Sequence, residues 1–220
     1  MVKATRTIHG WAKMPSGWVK EGKLQDFSLS QLGISITALK LYVSIVSAVR
    51  HVPTPESPGL GLVVLSYSEL ERRADIARGM IRPALSMLEP LVKTIRGGRV
   101  SAYEVSNYPQ LREGGWAKIP WGYIEKNGIM RIFSARSRSS LSALKLYLVL
   151  LTFRMNEISE ARVTYQTIAK YTGLPRNDIR AGTSRLIDAG LITLYSARDT
   201  GSDRDNMEYT CNRYKILGLW

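Results

Sequence analysis

The stretch GWAKMPSGWV, residues 10–19, returns 105 residues later as GWAKIPWGYI, residues 115–124. Six of the ten positions are identical, and three more keep an apolar or aromatic residue. The pentapeptide ALKLY, residues 38–42, recurs letter for letter at the same offset, at residues 143–147. Two matching blocks in one register indicate that the chain contains two copies of one unit.

Further along, the offset between the copies falls to 98 residues, so that Arg82 corresponds to Arg180. The seven-residue difference falls around residues 51–61, where three prolines predict a longer surface loop in the first copy. A polar segment containing proline and glycine separates the copies, as is typical of a linker. The chain is therefore predicted to have two domains, residues 1–108 and residues 109–220.

The second copy predicts an alternation of helices and short strands. In chain order the expected elements are an extended lead-in at 116–120, a helix at 141–155 capped by Ser140, a strand at 162–164, a helix at 165–171 capped by Thr164, a third helix from Pro175 to just before Gly190, and strands at 191–197 and 207–216. Proline suits the first turn of a helix because its missing N–H has no partner there. The third helix is expected to turn one side to the core, with Ile179, Thr183, Leu186 and Ile187 on it.

The first copy predicts the same order of elements. Its first helix is expected to open at Ser35 or Thr37, and its second helix to begin with a capping box formed by Ser68 and Glu71. A third helix is expected within residues 76–91, and a wing of two strands, 92–95 and 100–105, joined by the turn 96–99. The predicted fold is α+β and mainly α, with two tandem helix-turn-helix units that each carry a β-hairpin wing.

Three segments of the second copy resemble the winged-helix domains of plasmid and phage replication proteins. They are WAKIP at 116–120, LSALKLY at 141–147 and YQTIAKYTGL at 165–174. The segment LIDAGLI at 186–192 resembles the end of many winged-helix recognition helices. The duplication over nearly the whole chain is similar to the two-winged-helix build of plasmid replication initiators. This resemblance implies binding to double-stranded DNA and, because the first domain of such initiators often dimerises, self-association.

The charge of the chain independently indicates a polyanionic partner. Lys and Arg number 31 against 18 Asp and Glu, a formal net charge of +13. The excess is +6 in residues 1–108 (14 − 8) and +7 in residues 109–220 (17 − 10), so no basic tail accounts for it. Neutralising phosphates releases condensed counterions, which is why such a surplus favours nucleic acid as the partner. The alternative is a merely soluble basic protein.

The compartment is predicted from cysteine use and from hydropathy. A single cysteine, Cys211, has no partner within the chain, which favours a reducing, cytoplasmic compartment. No apolar signal-peptide region follows the first residues. The most apolar stretch, residues 141–153, contains Lys145 and is too short to span a bilayer, so it is interpreted as a core helix and no membrane partner is expected.

Patterns that would indicate other ligands are weak. Residues 17–23 match the GxxxxGK spacing of a phosphate-binding loop, but Leu24 stands where a Ser or Thr would bind magnesium. Two histidines and no prominent carboxylate pair give little basis for catalysis or a metal site. Trp11 and Trp116 are interpreted as packing anchors rather than as platforms for single-stranded bases. We therefore expect no enzymatic activity, no cofactor, no metal and no small-molecule substrate.

Base reading by a helix-turn-helix uses the N-terminal half of its last helix. The residues expected to face outward there are Arg176, Asn177, Arg180 and Ser184 in the second copy, and Arg78, Arg82 and Ser86 in the first. Arginine can pair bidentately with guanine, and asparagine with adenine. For each arginine the alternative is a solvated surface charge. Pro83 predicts that the helix of the first copy starts late or is kinked.

Contacts with the DNA backbone are expected from other basic residues. Arg96 and Arg99 flank two glycines in the first wing, which suits the minor groove or the backbone. Arg136 and Arg138 precede the first helix of the second copy, where they are either a phosphate clamp or a solvated loop. The second wing carries three aspartates within residues 199–205, so the two copies are not expected to be equivalent.

Three functions are compatible with these features. The first is a sequence-specific duplex DNA-binding protein that initiates replication of a plasmid or another mobile element. The second is a transcriptional repressor or autoregulator with the same DNA contacts, and the third is a protein–protein scaffold. Directly repeated sites beside an origin would indicate initiation, and an inverted repeat over a promoter would indicate repression. Contact with replication or transcription proteins is left open.

Overall fold

The computed structural model describes residues 10–49, 61–97, 100–108, 115–155, 157–195 and 211–219. It is an α+β structure in which helices predominate and the sheets are small and antiparallel. The predicted class, α+β and mainly α, is confirmed at this level. The predicted domain boundary lies after residue 108, and residues 109–114, which follow it, lie outside the described residues.

The first half begins with a short strand and ends with a hairpin. Its elements are β1 (Ala12–Pro15), α1 (Gly17–Lys20), 3-10 helices at Lys23–Asp26 and Leu29–Gln31, α2 (Leu32–Val46), β2 (Leu62–Leu65), α3 (Tyr67–Ala74), a 3-10 helix at Arg78–Met80, α4 (Ile81–Met87), β3 (Val92–Gly97) and β4 (Val100–Val105). The last three strands form an antiparallel sheet in the order β2-β4-β3. As predicted from Pro83, the last helix starts late, and the proline lies within its first turn, where a missing N–H costs little.

The second half repeats this order. Its elements are β5 (Trp116–Ile119), α5 (Trp121–Lys126), a 3-10 helix at Ile129–Ile132, α6 (Arg138–Thr152), β6 (Glu160–Val163), α7 (Tyr165–Thr172), α8 (Arg176–Asp188), β7 (Ile192–Tyr195) and β8 (Asn212–Ile216), with the sheet order β6-β8-β7. The predicted cap of α7 is confirmed, because the Thr164 hydroxyl accepts a hydrogen bond from the Thr167 N–H at 3.0 Å. The chain leaves α7 through Gly173 at φ 68°, a left-handed conformation that favours glycine.

The two halves are joined by an antiparallel ribbon of β1 and β5. Lys13 faces Lys118, and the two lysines are equivalent residues of the repeat. Trp11 and Trp116, also equivalent, stack with ring centroids 5.8 Å apart at an interplanar angle of 16°. The two tryptophans thus pack against each other at the ribbon, and Trp116 remains 36% exposed.

A single apolar cluster contains buried residues of both halves. Helices α2 and α6 pack against each other within it. Each of these helices also buries one lysine, Lys40 or Lys145, from the repeated ALKLY segment. Lys40 Nζ donates to the Asp75 carbonyl at 2.8 Å, and Lys145 Nζ donates to the Thr172 carbonyl at 2.8 Å. Each lysine therefore ties the middle of a core helix to the end of the helix that follows.

The starts of both core helices differ from the prediction. Helix α2 begins at Leu32 rather than at Ser35 or Thr37. Both hydroxyls are satisfied inside the fold, since Ser35 donates to the Ser28 carbonyl and Thr37 to the Gly33 carbonyl. Helix α6 likewise begins two residues before Ser140, which is fully buried and caps nothing.

Other local expectations are also corrected. The capping box of α3 uses Ser66 and Glu69 instead of Ser68 and Glu71, because Ser66 is the residue that directly follows β2. Ile187, expected on the core side of α8, is 43% exposed. Strand β3 extends through Gly97, two residues further than predicted, whereas residues 207–210 of the last predicted strand lie outside the described residues.

One apolar segment of the described residues, 29–46, has the length and composition of a membrane span. This segment comprises α2 and the 3-10 helix before it, and 67% of it is buried inside the structure. Burial of this kind is what the core helix of a folded domain shows. Of the segment predicted as the core helix of the second half, 141–153, residues 141–151 are buried within α6.

Candidate nucleic-acid interface

Helix α8 presents one polar face and one packed face. Ile179, Thr183 and Leu186 are buried, and the Thr183 hydroxyl is satisfied by the Ile179 carbonyl at 2.8 Å. The opposite side carries four exposed residues, all predicted from the sequence: Arg176, Asn177, Arg180 and Ser184. We call this set the second reading face. These four side chains are accessible to a ligand because the helix packs on the core through its opposite side.

Close packing holds α8 in place. Gly182 lies so near α6 that a Cβ built on it would come within 2.9 Å of the Ser142 carbonyl carbon and 3.0 Å of the Ala143 nitrogen. No side chain fits in that space. The outward residues are consequently fixed relative to the core rather than carried on a mobile segment.

The first half has an equivalent face. Arg78, Arg82 and Ser86 are exposed as predicted, on the 3-10 helix and on α4. We call these three residues, together with the exposed Gly79, the first reading face. At the 98-residue offset they correspond to Arg176, Arg180, Ser184 and Asn177. Three of the four positions are therefore identical between the two reading faces.

The first arginine of each reading face stacks on the first tyrosine of the helix before it. The Arg176 guanidinium carbon lies 5.4 Å from the centroid of the Tyr165 ring, and that of Arg78 lies 5.6 Å from the centroid of Tyr67. Arg78 also contacts a carboxylate oxygen of Glu71 at 3.1 Å. Among the described residues, no carboxylate lies within salt-bridge distance of Arg176. The second reading face is thus the more strongly positive of the two at this position.

Arg138 forms an ion pair with Asp178. Its guanidinium donates two hydrogen bonds to one carboxylate oxygen of Asp178, at 3.1 and 2.6 Å. These bonds, and the charge of Asp178, raise the pKa of the Arg138 guanidinium. Asp178 lies in the first turn of α8 and is largely buried, so this ion pair fixes the start of α8 against the start of α6. Arg136 is exposed, the Arg138 side chain is 58% exposed, and a phosphate contact by either residue stays a prediction.

The equivalent place in the first half holds a different contact. Arg138 corresponds to Gly33, and Asp178 corresponds to Met80. A Cβ built on Gly33 would lie 3.7 Å from Met80 Cε, so the same two positions touch without charge. That Cβ would also lie 3.5 Å from the Ala135 carbonyl oxygen, three residues before Arg138. The starts of α2 and α6 therefore lie close together, and each contacts the start of a helix that carries a reading face.

The two hairpins predicted to be wings are described only in part. The backbone of Arg96 belongs to β3 and pairs with Ser101 of β4, so this residue lies in a strand and not in the turn where it was predicted. Arg99 and the aspartate-containing segment 196–210 lie outside the described residues. Predictions for them stay predictions.

Sequence reasoning did not find Asp178 as the partner that positions α8. Its only local signal is an acidic residue in the first turn of a helix, which is too common to identify a partner 40 residues away. Among the described residues, no group of three or more His, Cys, Asp or Glu side chains could hold a metal ion. No family model, curated protein or solved structure matches this chain.

Proposed function

We propose that this chain binds double-stranded DNA in a sequence-specific manner through two winged-helix units. The order helix, strand, helix, helix, strand, strand in each half supports this interpretation. The sheet orders β2-β4-β3 and β6-β8-β7 support it too. In each sheet the hairpin after the last helix pairs with the strand that directly follows the core helix. In a unit of this kind the last helix lies in the major groove and the hairpin contacts the flanking backbone or the minor groove.

The observation that carries the proposal is the matched pair of reading faces. Two arginines and one serine recur at equivalent exposed positions on the last helix of each half. The opposite sides of both helices are buried, so the polar residues are not required by packing. Arginines placed in this way can pair bidentately with the O6 and N7 atoms of guanine. The net charge of +13 supplies the general attraction to phosphates.

Within this proposal the residues divide into two groups. Arg176, Asn177, Arg180 and Ser184, with Arg78, Arg82 and Ser86, read base edges. Arg96, Arg99 and Arg136 contact phosphates or the minor groove. Arg138 positions α8 through Asp178. The protein–protein scaffold is the weaker alternative, because it leaves the matched arginines and the net charge without a role.

For the biological role, we propose initiation of replication of a plasmid or another mobile element. This role rests on the resemblance of the repeated segments to replication initiators. The DNA beside the coding sequence tests it. Several directly repeated copies of the bound site beside an origin would support initiation, whereas a single site overlapping the promoter would make this chain a repressor of its own transcription.

The binding proposal is tested by selection from a pool of random-sequence duplexes at low salt. We expect retention of duplexes and, after several rounds, enrichment of one sequence that covers about two turns of DNA. Failure to retain any duplex, or preference for the single strands of the same pool, would overturn the proposal. Retention without enrichment would overturn its sequence-specific part.

A further inference from the structure

We infer that the duplex bound by one chain contains two half-sites in inverted orientation, because an approximate two-fold axis inside the monomer relates the two reading faces. The inference rests on the proposed function and adds to it the layout of the target. It concerns the target of a single chain and requires no second copy.

The axis is defined first by the central ribbon. In an antiparallel pair, a local two-fold axis passes between any two residues that face each other. Here the facing residues Lys13 and Lys118 are repeat equivalents, and the neighbouring pairs, Ala12 with Ile119 and Met14 with Ala117, exchange under the repeat. The stacked tryptophans obey the same relation. A two-fold rotation at the ribbon therefore superimposes one copy of the sequence on the other.

The same axis relates contacts far from the ribbon. The 3-10 helices at Lys23–Asp26 and Ile129–Ile132 each contact the end of the helix that follows the core helix in the other half. Gln25 donates to the Lys170 carbonyl near the end of α7 at 2.9 Å, and Arg131 lies 3.8 Å from the Asp75 carboxylate at the end of α3. Lys40 also donates to the Phe133 carbonyl of the other half at 3.3 Å.

The first two of these contacts are reciprocal, so the two-fold relation extends from the ribbon to the helices packed around it. Helices α4 and α8, which carry the reading faces, pack on α2 and α6, and these two core helices pack together. The relative orientation of α4 and α8 is therefore fixed before DNA binds. Gly33, Met80 and the Ala135 carbonyl lie together near the start of both core helices. The helices that carry the two reading faces therefore begin near one another, as simultaneous contact with one duplex requires.

A two-fold relation between reading faces determines how DNA must be arranged. The duplex has its own two-fold axes perpendicular to the helix axis, and each relates one strand to the other. Two reading faces related by a rotation can make equivalent contacts only with half-sites of opposite orientation, as symmetric dimers do on palindromic operators. Since three of four reading positions are identical, the half-sites are expected to share most of their sequence.

Gly79 accounts for the one difference between the faces and provides the test. It corresponds to Asn177, and a Cβ built on it would meet nothing within 4 Å. The substitution Gly79→Asn therefore adds the missing reading side chain without a steric clash. We expect wild-type protein to select an imperfect inverted repeat from random duplexes, and Gly79→Asn to select a more nearly perfect one with the same spacing.

Binding measurements on designed duplexes give the quantitative readout. One duplex carries the selected site, a second carries it with one half-site replaced by its reverse complement in place, and a third has that half-site scrambled. We expect the reversed duplex to bind as weakly as the scrambled one, at least about tenfold below the selected site. Selection of two half-sites in direct orientation, or full affinity for the reversed duplex, would overturn the inference and leave duplex binding intact. Absence of any duplex binding would instead remove the proposed function on which it rests.

Discussion

At the scale of single residues, Arg180 and Arg99 stand in different surroundings. Arg180 is exposed on a helix that is packed tightly from behind, and no hydrogen bond or ion pair engages its side chain among the described residues. Arg99 follows Gly98 in the first wing and lies outside the described residues. A rigid helix can hold a side chain against one base, whereas a glycine-containing turn is better suited to the uniform backbone.

The substitutions Arg180→Ala and Arg99→Ala should therefore differ in kind. Loss of a bidentate arginine–guanine pair costs about 1–3 kcal/mol, so Arg180→Ala should lower affinity for the selected site roughly tenfold to hundredfold and relax the preference at one base position. Arg99→Ala should weaken binding to selected and scrambled duplexes alike and make the salt slope shallower by about one unit. Fluorescence anisotropy titrations on both duplexes at several salt concentrations provide the comparison.

Lys126→Ala is the matched control, because it removes one exposed positive charge from α5. Tyr123 of that helix contacts Gly190, beyond the far end of α8. The Lys126→Ala variant should therefore leave discrimination between the two duplexes unchanged. The assignment of base and backbone contacts is reversed if Arg180→Ala weakens both duplexes equally while Arg99→Ala loses discrimination.

At the scale of elements, the contact between α8 and α6 depends on Gly182. Replacing an exposed helical glycine with alanine ordinarily stabilises a helix by about 1 kcal/mol. At position 182 the added Cβ would overlap with backbone atoms of α6, which have little freedom to move. We expect Gly182→Ala to lower the free energy of unfolding by about 1–3 kcal/mol, the usual cost of overpacking.

Urea denaturation followed by circular dichroism measures this effect, and Gly79→Ala is the matched control. A Cβ at position 79 meets nothing within 4 Å, so that substitution should be neutral or slightly stabilising. Equal effects of the two substitutions would show that α8 and α6 are less closely packed than described.

Elements that depend on local patterns could be predicted from the sequence. The cap at Thr164, the late start of α4 indicated by Pro83 and the outward positions of Arg176 and Arg180 all follow from short-range rules of helix geometry. The starts of α2 and α6 could not be predicted in this way. The serines that suggested them are satisfied or buried through contacts with other parts of the chain.

Contacts between distant segments were also beyond sequence reasoning. The repeat shows that Lys13 and Lys118 are equivalent, but pairing of the two strands is a tertiary event that no local pattern encodes. The ion pair of Arg138 with Asp178 has the same character. The candidate reading faces were therefore found from the sequence, while the residues that position them and the two-fold relation between them required the structure.

At the scale of the whole molecule, the buried lysines link stability to pH. Burial lowers the pKa of Lys40 and of Lys145 to about 8, partly opposed by the charges of Asp75 and Asp26 respectively. In the unfolded chain both pKa values return to about 10.5. Between these values the unfolded state binds more protons than the native state, so the free energy of unfolding rises as pH increases from about 8.

Buried tyrosines produce the opposite trend at higher pH. Burial raises the pKa of Tyr103, Tyr108 and Tyr214 to about 12, against about 10 in the unfolded chain. Above pH 10 the native state retains protons that the unfolded state releases, and stability falls. We therefore expect stability to rise from about pH 8 and to reach its maximum near pH 10.

Urea unfolding at half-unit pH steps from 7 to 11 tests this expectation. The variant Lys145→Met, which nearly conserves volume and removes one titrating group, should show a smaller rise above pH 8 than the wild type. Stability that stays level or declines between pH 8 and 9.5 in the wild type would contradict the assignment of lowered pKa values to the buried lysines.

The whole molecule is proposed to be a duplex DNA-binding protein, and a salt titration of its affinity for duplex DNA tests this most directly. If exposed arginines and lysines neutralise several phosphates, log K falls linearly with log salt concentration, with a slope of about −0.9 for each phosphate contact. We predict tight binding at low salt and a slope that corresponds to several contacts. The absence of binding to any duplex at low salt, or an affinity that does not change with salt, would contradict the proposal.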